Sequence, residues 1–137
     1  MLDEGFVADC PYAPEAILFE EIVEIDREAG RLVARMPTHD RLVHVTGMLG
    51  FAHAYYVLGL RHADGWIGYG THIQAARYGR LATIGPPLVL ECRGTRVRRI
   101  RDESLYVRYA FRFAQQGEVV YESEQGAVWR RVVEGGA

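Results

Sequence analysis

Residues 46–60, TGMLGFAHAYYVLGL, put apolar or small side chains around the whole circumference of a helix. Met48, Leu49, Phe51, Ala52, Tyr55, Tyr56, Leu58 and Leu60 leave almost no polar stripe. A helix lying on the surface of a globular protein keeps such a stripe, so this one must be covered on most sides. Thr46 is placed to act as its N-cap, with Gly47 in the first turn. Gly47, Gly50, Ala52, Ala54 and Gly59 let surrounding backbone come close.

The rest of the chain reads as strands. Residues 17–25 are rich in β-branched and aromatic types, 26–30 form a turn, and 31–36 return as a second strand closed by Pro37. After 62–65 come a strand at 66–77, a break at 84–87 (IGPP), a long strand at 88–100 and a turn at 101–104. Leu105, Val107, Tyr109, Phe111 and Phe113 alternate with Tyr106, Arg108, Ala110 and Arg112, a period of two. A hairpin turn at 115–118 leads to the last strand, 119–132. Two strands, one helix and four strands predict an α+β domain in which an antiparallel curved sheet wraps one central helix. The sheet covers one side of that helix. A second copy of the chain is the expected cover for the rest, so a homodimer is predicted.

The 137 residues suffice for one domain, with an irregular arm at 1–15 marked by Pro11 and Pro14 and a frayed tail at 133–137. Phe6 and Tyr12 give the arm the means to dock on the body. No run approaches the ~18 apolar residues of a membrane span. The acidic start, MLDEGFVADCPY, lacks the basic segment of a signal peptide, so a cytoplasmic location is expected. The net charge of −2 argues against a nucleic-acid partner. All 16 basic residues are arginine, which reads as a compositional bias. Cys10 and Cys92 form no zinc-type spacing, and no metal or redox cofactor is implied.

The element order, the polar loop running into TGMLGFAHAYY, and the stretch ARYGRLATIGPPLVLECRGTRV together resemble the hotdog fold over residues 15–132. Many acyl-CoA thioesterases and hydroxyacyl-thioester dehydratases have this architecture. The resemblance implies an acyl thioester held in a tunnel at a dimer interface. Its carbonyl would sit at the N-terminal end of the central helix, here Thr46-Gly47-Met48, polarised by backbone N–H groups and the helix dipole. Gly47 fits that role, and it fits equally a simple packing role.

Thioester hydrolysis needs a group that activates water, or a carboxylate that attacks the carbonyl. The helix acid of many such enzymes is missing, because no Asp or Glu occurs from residue 41 to 63. Asp40, in the loop before the helix, resembles the aspartate of the 4-hydroxybenzoyl-CoA thioesterase type; its alternative is a turn residue. His44, and more weakly His39, are candidate bases or carbonyl donors. Thr46 caps the helix or offers its hydroxyl to substrate. His53 stands in an apolar helix, either as a hydrogen-bonded core residue or as a catalytic group. Met48, Phe51 and Tyr55 suggest an apolar acyl group.

Five arginines fall in RGTRVRRIR (93–101). Strict alternation puts Arg96 and Arg98 on one face and Arg93, Arg99 and Arg101 on the other. At a tunnel mouth Arg96 and Arg98, with Arg77 and Arg80, would hold coenzyme A phosphates or meet an acidic acyl carrier protein; otherwise they are a solvated strand end. The expected function is acyl-CoA or acyl-ACP hydrolysis by a dimer or tetramer, with the coenzyme A or phosphopantetheine belonging to the substrate. Two alternatives stay open: a 3-hydroxyacyl-thioester dehydratase or enoyl hydratase, and a non-catalytic acyl-thioester binder.

Overall fold

Alternating apolar residues at 105–113 put one face of a strand into the core, and the chain builds outward from it. The computed structural model describes residues 2–37, 42–101 and 103–132, with backbone alone at 42–44. Six strands form one antiparallel sheet: β1 (Glu21–Asp26), β2 (Arg31–Met36), β3 (Trp66–Tyr78), β4 (Leu88–Arg101), β5 (Ser104–Gln115) and β6 (Glu118–Arg131). Their order across the sheet is β1-β2-β4-β5-β6-β3. The chain passes from β2, near one edge, to β3 at the other by way of the helix, so the helix lies across one face. Leu88, Leu90 and Cys92 of β4 and Val107, Tyr109, Phe111 and Phe113 of β5 point to that face and are buried.

The turns follow their residues. Gln116 and Gly117, both with positive φ (51° and 81°), make the two-residue loop between Gln115 and Glu118. That is the twist a two-residue hairpin prefers. The first strand is shorter than the sequence suggests, starting at Glu21, although Glu20 already donates its amide to Arg35 O at 2.8 Å.

The main helix corrects the sequence reading at both ends. It runs Leu42–His53 and continues as a π-helical turn, Ala54–Leu58, before Gly59 ends it with φ 71°. Thr46 is therefore not an N-cap. It lies inside the helix, 3% exposed, with its Oγ1 accepting from Gln125 Nε2 at 2.9 Å. Burial overrides the capping preference here, because a hydroxyl with a partner can sit inside a packed helix.

Part of the cover of the helix comes from the arm. The arm is not wholly irregular: Glu4–Asp9 forms a short helix, α1, capped by Asp3, which accepts from Phe6 N at 3.1 Å. The long helix is called α2. Phe6 is fully buried against Phe51, Tyr55 and Tyr56, with ring centroids 6.0, 5.4 and 5.2 Å away. Asp9 is buried and accepts the amides of His62 at 2.8 Å and Ala63 at 2.7 Å, pinning the arm to the loop after α2. The chain's own N-terminus thus supplies part of the cover of α2, docking through Phe6 as the sequence allowed.

His53 sits at the C-terminal end of α2, fully buried. Its Nε2–H donates to Gly30 O at 2.8 Å in the β1–β2 turn, and its ring meets Tyr109 edge-on at 5.3 Å. Gly30 O also accepts Gly94 N–H at 2.8 Å, so one carbonyl ties α2, the β1–β2 turn and β4. A Cβ on Gly94 would approach the imidazole to 3.0 Å, which is why glycine stands there. Among the described residues Nδ1 has no partner, and desolvation lowers the pKa of His53 from the usual histidine value, leaving the ring neutral. The unfolded chain then binds a proton more readily than the folded one. Stability from this group is full above the ordinary histidine range and falls as pH drops below it. The expected result is a urea midpoint that declines from pH 7 to pH 5 in the natural sequence and less steeply in His53→Gln.

Candidate functional site

Small residues on one side of α2 leave room beside it. A cavity of about 260 Å³ lies between α2, β3, β5, β6 and the arm. Thr46, Gly47, Gly50 and Phe51 form its helix wall, which is the spacing of one helical face. Gly68 and Gly70 of β3 form the opposite wall, and Trp66, Trp129, Tyr109 and Phe111 make the lining mostly apolar. A cavity of this size and lining takes a small apolar group.

Its polar groups are few. Gln125 Nε2 donates to Thr46 Oγ1 at 2.9 Å and to Ser123 Oγ at 3.3 Å, while Tyr121 OH donates to Ser123 Oγ at 2.8 Å. This chain fixes the Gln125 amide at the Thr46 end of the cavity. Trp129 Nε1 donates to Tyr109 OH at 2.8 Å, and burial pushes the Tyr109 phenol well above its usual range. Tyr12 stands edge-on to Phe51 at 6.4 Å, with its hydroxyl beside Gly47. Desolvation, with the Cys10 side chain as a smaller cause, raises the Tyr12 pKa, so at neutral pH it is a hydrogen-bond donor. His62 lines the cavity edge-on to Phe51 at 6.4 Å, held there by the bonds of its own and the following amide to Asp9. No carboxylate lines the cavity among the described residues.

Of the residues singled out from sequence, the fold brings Thr46, Gly47 and Phe51 together at the cavity. Gly47 lies in the second turn of α2, where amides bond to carbonyls four residues back. The unbonded amides of an α-helix are those of its first turn, here the region of Leu42. Met48 points elsewhere: it is buried, and its sulfur accepts the Leu18 amide at 3.4 Å. Tyr55 packs on Phe6 and under the Arg61 guanidinium, which lies 5.8 Å from its ring. His53 is occupied by Gly30 O, away from the cavity lining. Asp40, His39 and the side chain of His44 lie outside the described residues. Tyr12, His62 and Gln125 are the polar cavity groups that sequence reasoning missed; only the fold brings the arm, the loop after α2 and β6 beside Thr46.

The arginines do not reach the cavity. Arg77 pairs with Glu122, Arg80 Nε lies 2.7 Å from Glu118, and the register places Arg96 opposite Arg108 and Arg98 opposite Tyr106 on the sheet face away from α2. Burial leaves Cys92 fully enclosed with its thiol pKa raised, and Cys10 is a free thiol also shifted upward by desolvation. Neither is a thiolate nucleophile at neutral pH.

One helix laid across an antiparallel sheet of order β1-β2-β4-β5-β6-β3 defines the hotdog fold, and this chain has it. It is similar to a solved thioesterase of Haemophilus influenzae, with a TM-score of 0.71 at 15% identity over 100% of this chain and 96% of that one. A mutant thioesterase of Pseudomonas aeruginosa matches with a TM-score of 0.60 at 14% identity over 81% of each chain. A hypothetical thioesterase of Streptococcus pneumoniae, solved with coenzyme A, matches with a TM-score of 0.57 at 12% identity over 84% of this chain and 91% of that one. No family model and no curated protein matches the sequence. Among the described residues, no helix is long and apolar enough to cross a membrane.

Proposed function

We propose that the protein hydrolyses an acyl thioester of coenzyme A or an acyl carrier protein, with the acyl group in the α2 cavity. The observation that carries this reading is the apolar cavity running along Thr46, Gly47, Gly50 and Phe51 inside a hotdog fold. The coenzyme A complex of the streptococcal neighbour supports the choice of carrier. The thioester lies at the Thr46–Gly47 end, toward the positive end of the helix dipole. Water attacks the carbonyl carbon, the C–S bond breaks, and the sulfur leaves as a thiol once it takes a proton. Asp40 or His44, which the sequence puts just ahead of or within the first turn, accepts the proton from water. The Tyr12 hydroxyl, beside Gly47, offers a donor for the carbonyl oxygen. The protein acts as a dimer: β3 is an edge strand with Tyr69, Ile73 and Tyr78 each more than half exposed, an apolar edge that self-association would cover.

A second reading, a non-catalytic acyl-thioester binder, is favoured by the absence of a carboxylate among the described cavity residues. A panel of acyl-CoAs assayed for free thiol separates the two. Thiol release by the natural sequence, lost in Asp40→Asn or His44→Ala, is expected. Saturable binding with no release from any substrate would leave only the binder.

A further inference from the structure

The sheet face away from α2 divides into two electrostatic halves. In one half a single row across four strands reads Glu91, Arg112, Glu122, Arg77, and opposite charges alternate. Arg31, Arg35, Arg77 and Arg93 all have carboxylate partners in this half. In the other half the rows read Arg96–Arg108–Gly126, Arg98–Tyr106–Val128 and Arg101–Ser104–Arg130. Arg108 is bonded to Glu124 at 3.3 Å and Arg131 takes Glu103 at 3.3 Å. Among the described residues, Arg96, Arg98, Arg101 and Arg130 have no carboxylate partner.

This concentration is not what alternation predicts. Register shifts at Gly94/Arg96 and Arg99/Arg101 skip Thr95 and Ile100. Each bulge turns the strand by one residue. The result puts Arg93, Arg96, Arg98 and Arg101 on one face and only Arg99 on the other, correcting the split expected from strict alternation. Like charges set directly opposite one another, as Arg96 and Arg108 are, repel. A merely solvated strand end gains nothing from that arrangement; an anion does.

We propose that the hollow at the last of these rows binds a phosphate-bearing small molecule. The hollow is an open depression of about 400 Å³ lined by Ile100, Arg101, Ser104, Val128 and Arg130. Its row sets Ser104 between Arg101 and Arg130 on the neighbouring strands, which lie ~4.8 Å apart. Planar guanidinium forks match phosphate oxygens two at a time. Ile100 and Val128 give the hollow apolar walls for the organic part of the ligand. The site lies across the sheet from the α2 cavity and does not depend on the activity proposed there.

Calorimetric titration with ADP and with inorganic phosphate tests the proposal. Saturable ADP binding is expected. It should weaken at least tenfold in Arg101→Ala/Arg130→Ala and stay unchanged in Arg35→Ala, with thermal unfolding showing both variants folded. Tighter binding of ADP than of inorganic phosphate assigns the hollow to an organic phosphate, and equal affinity assigns it to free phosphate. No saturable binding of either probe, or full binding by the double variant, overturns the proposal. Competition between ADP and a non-nucleotide acyl thioester would also overturn it, by merging the hollow with the acyl cavity.

Discussion

Gly47→Leu should lower kcat/KM for acyl-CoA hydrolysis by about 100-fold or more, the scale on which ~1 Å of misplacement acts in an active site. Gly47 is exposed to the cavity, and among the described residues a Cβ there would meet only the Tyr12 hydroxyl, at 3.9 Å. The backbone therefore accepts a side chain without strain, while the cavity does not accept one as large as leucine. Gly47→Ala provides the internal check. It fits the same space and replaces a mid-helix glycine, so it should raise stability by up to about 1 kcal/mol. Steady-state thiol release and urea unfolding on the two variants read these effects separately. Undiminished turnover by a folded Gly47→Leu protein would remove the acyl group from this cavity.

Phe6→Ala should destabilise the fold by about 3–5 kcal/mol, the cost of deleting a fully buried aromatic ring. Phe6 comes from a six-residue helix, too short to stand alone, and it is the contact that holds α1 against Phe51, Tyr55 and Tyr56. Its loss strips cover from the all-round apolar helix and loosens the arm that carries Tyr12 to the cavity. Equilibrium urea unfolding of the variant measures the cost. A loss under about 1 kcal/mol would mean that the arm is not the cover it is taken to be.

Much of the sheet was legible because strands leave a local trace. The second strand, residues 31–36, has the observed bounds, and the alternation at 105–113 matches the buried and exposed faces of β5. The hairpin at 115–118 was legible from its turn residues. The helix was legible in kind but not in its start. Residues 42–45 carry no capping signal strong enough to compete with Thr46, and the partner that lets Thr46 lie inside the helix, Gln125, is 79 residues away. The same distance limit hid Tyr12 and His62 from the site and made His53 ambiguous, since Gly30 and Gly94 decide its role.

From sequence alone came the apolar belt around residues 46–60, the strands that flank it, and so the sheet-wrapped helix. Those follow from side-chain periodicity, which is a property of neighbouring residues. What covers α2, which groups share its cavity, and which face the arginines take were settled only in three dimensions. Strand register, two bulges and a docked arm set those outcomes, and each depends on contacts between residues far apart in the chain.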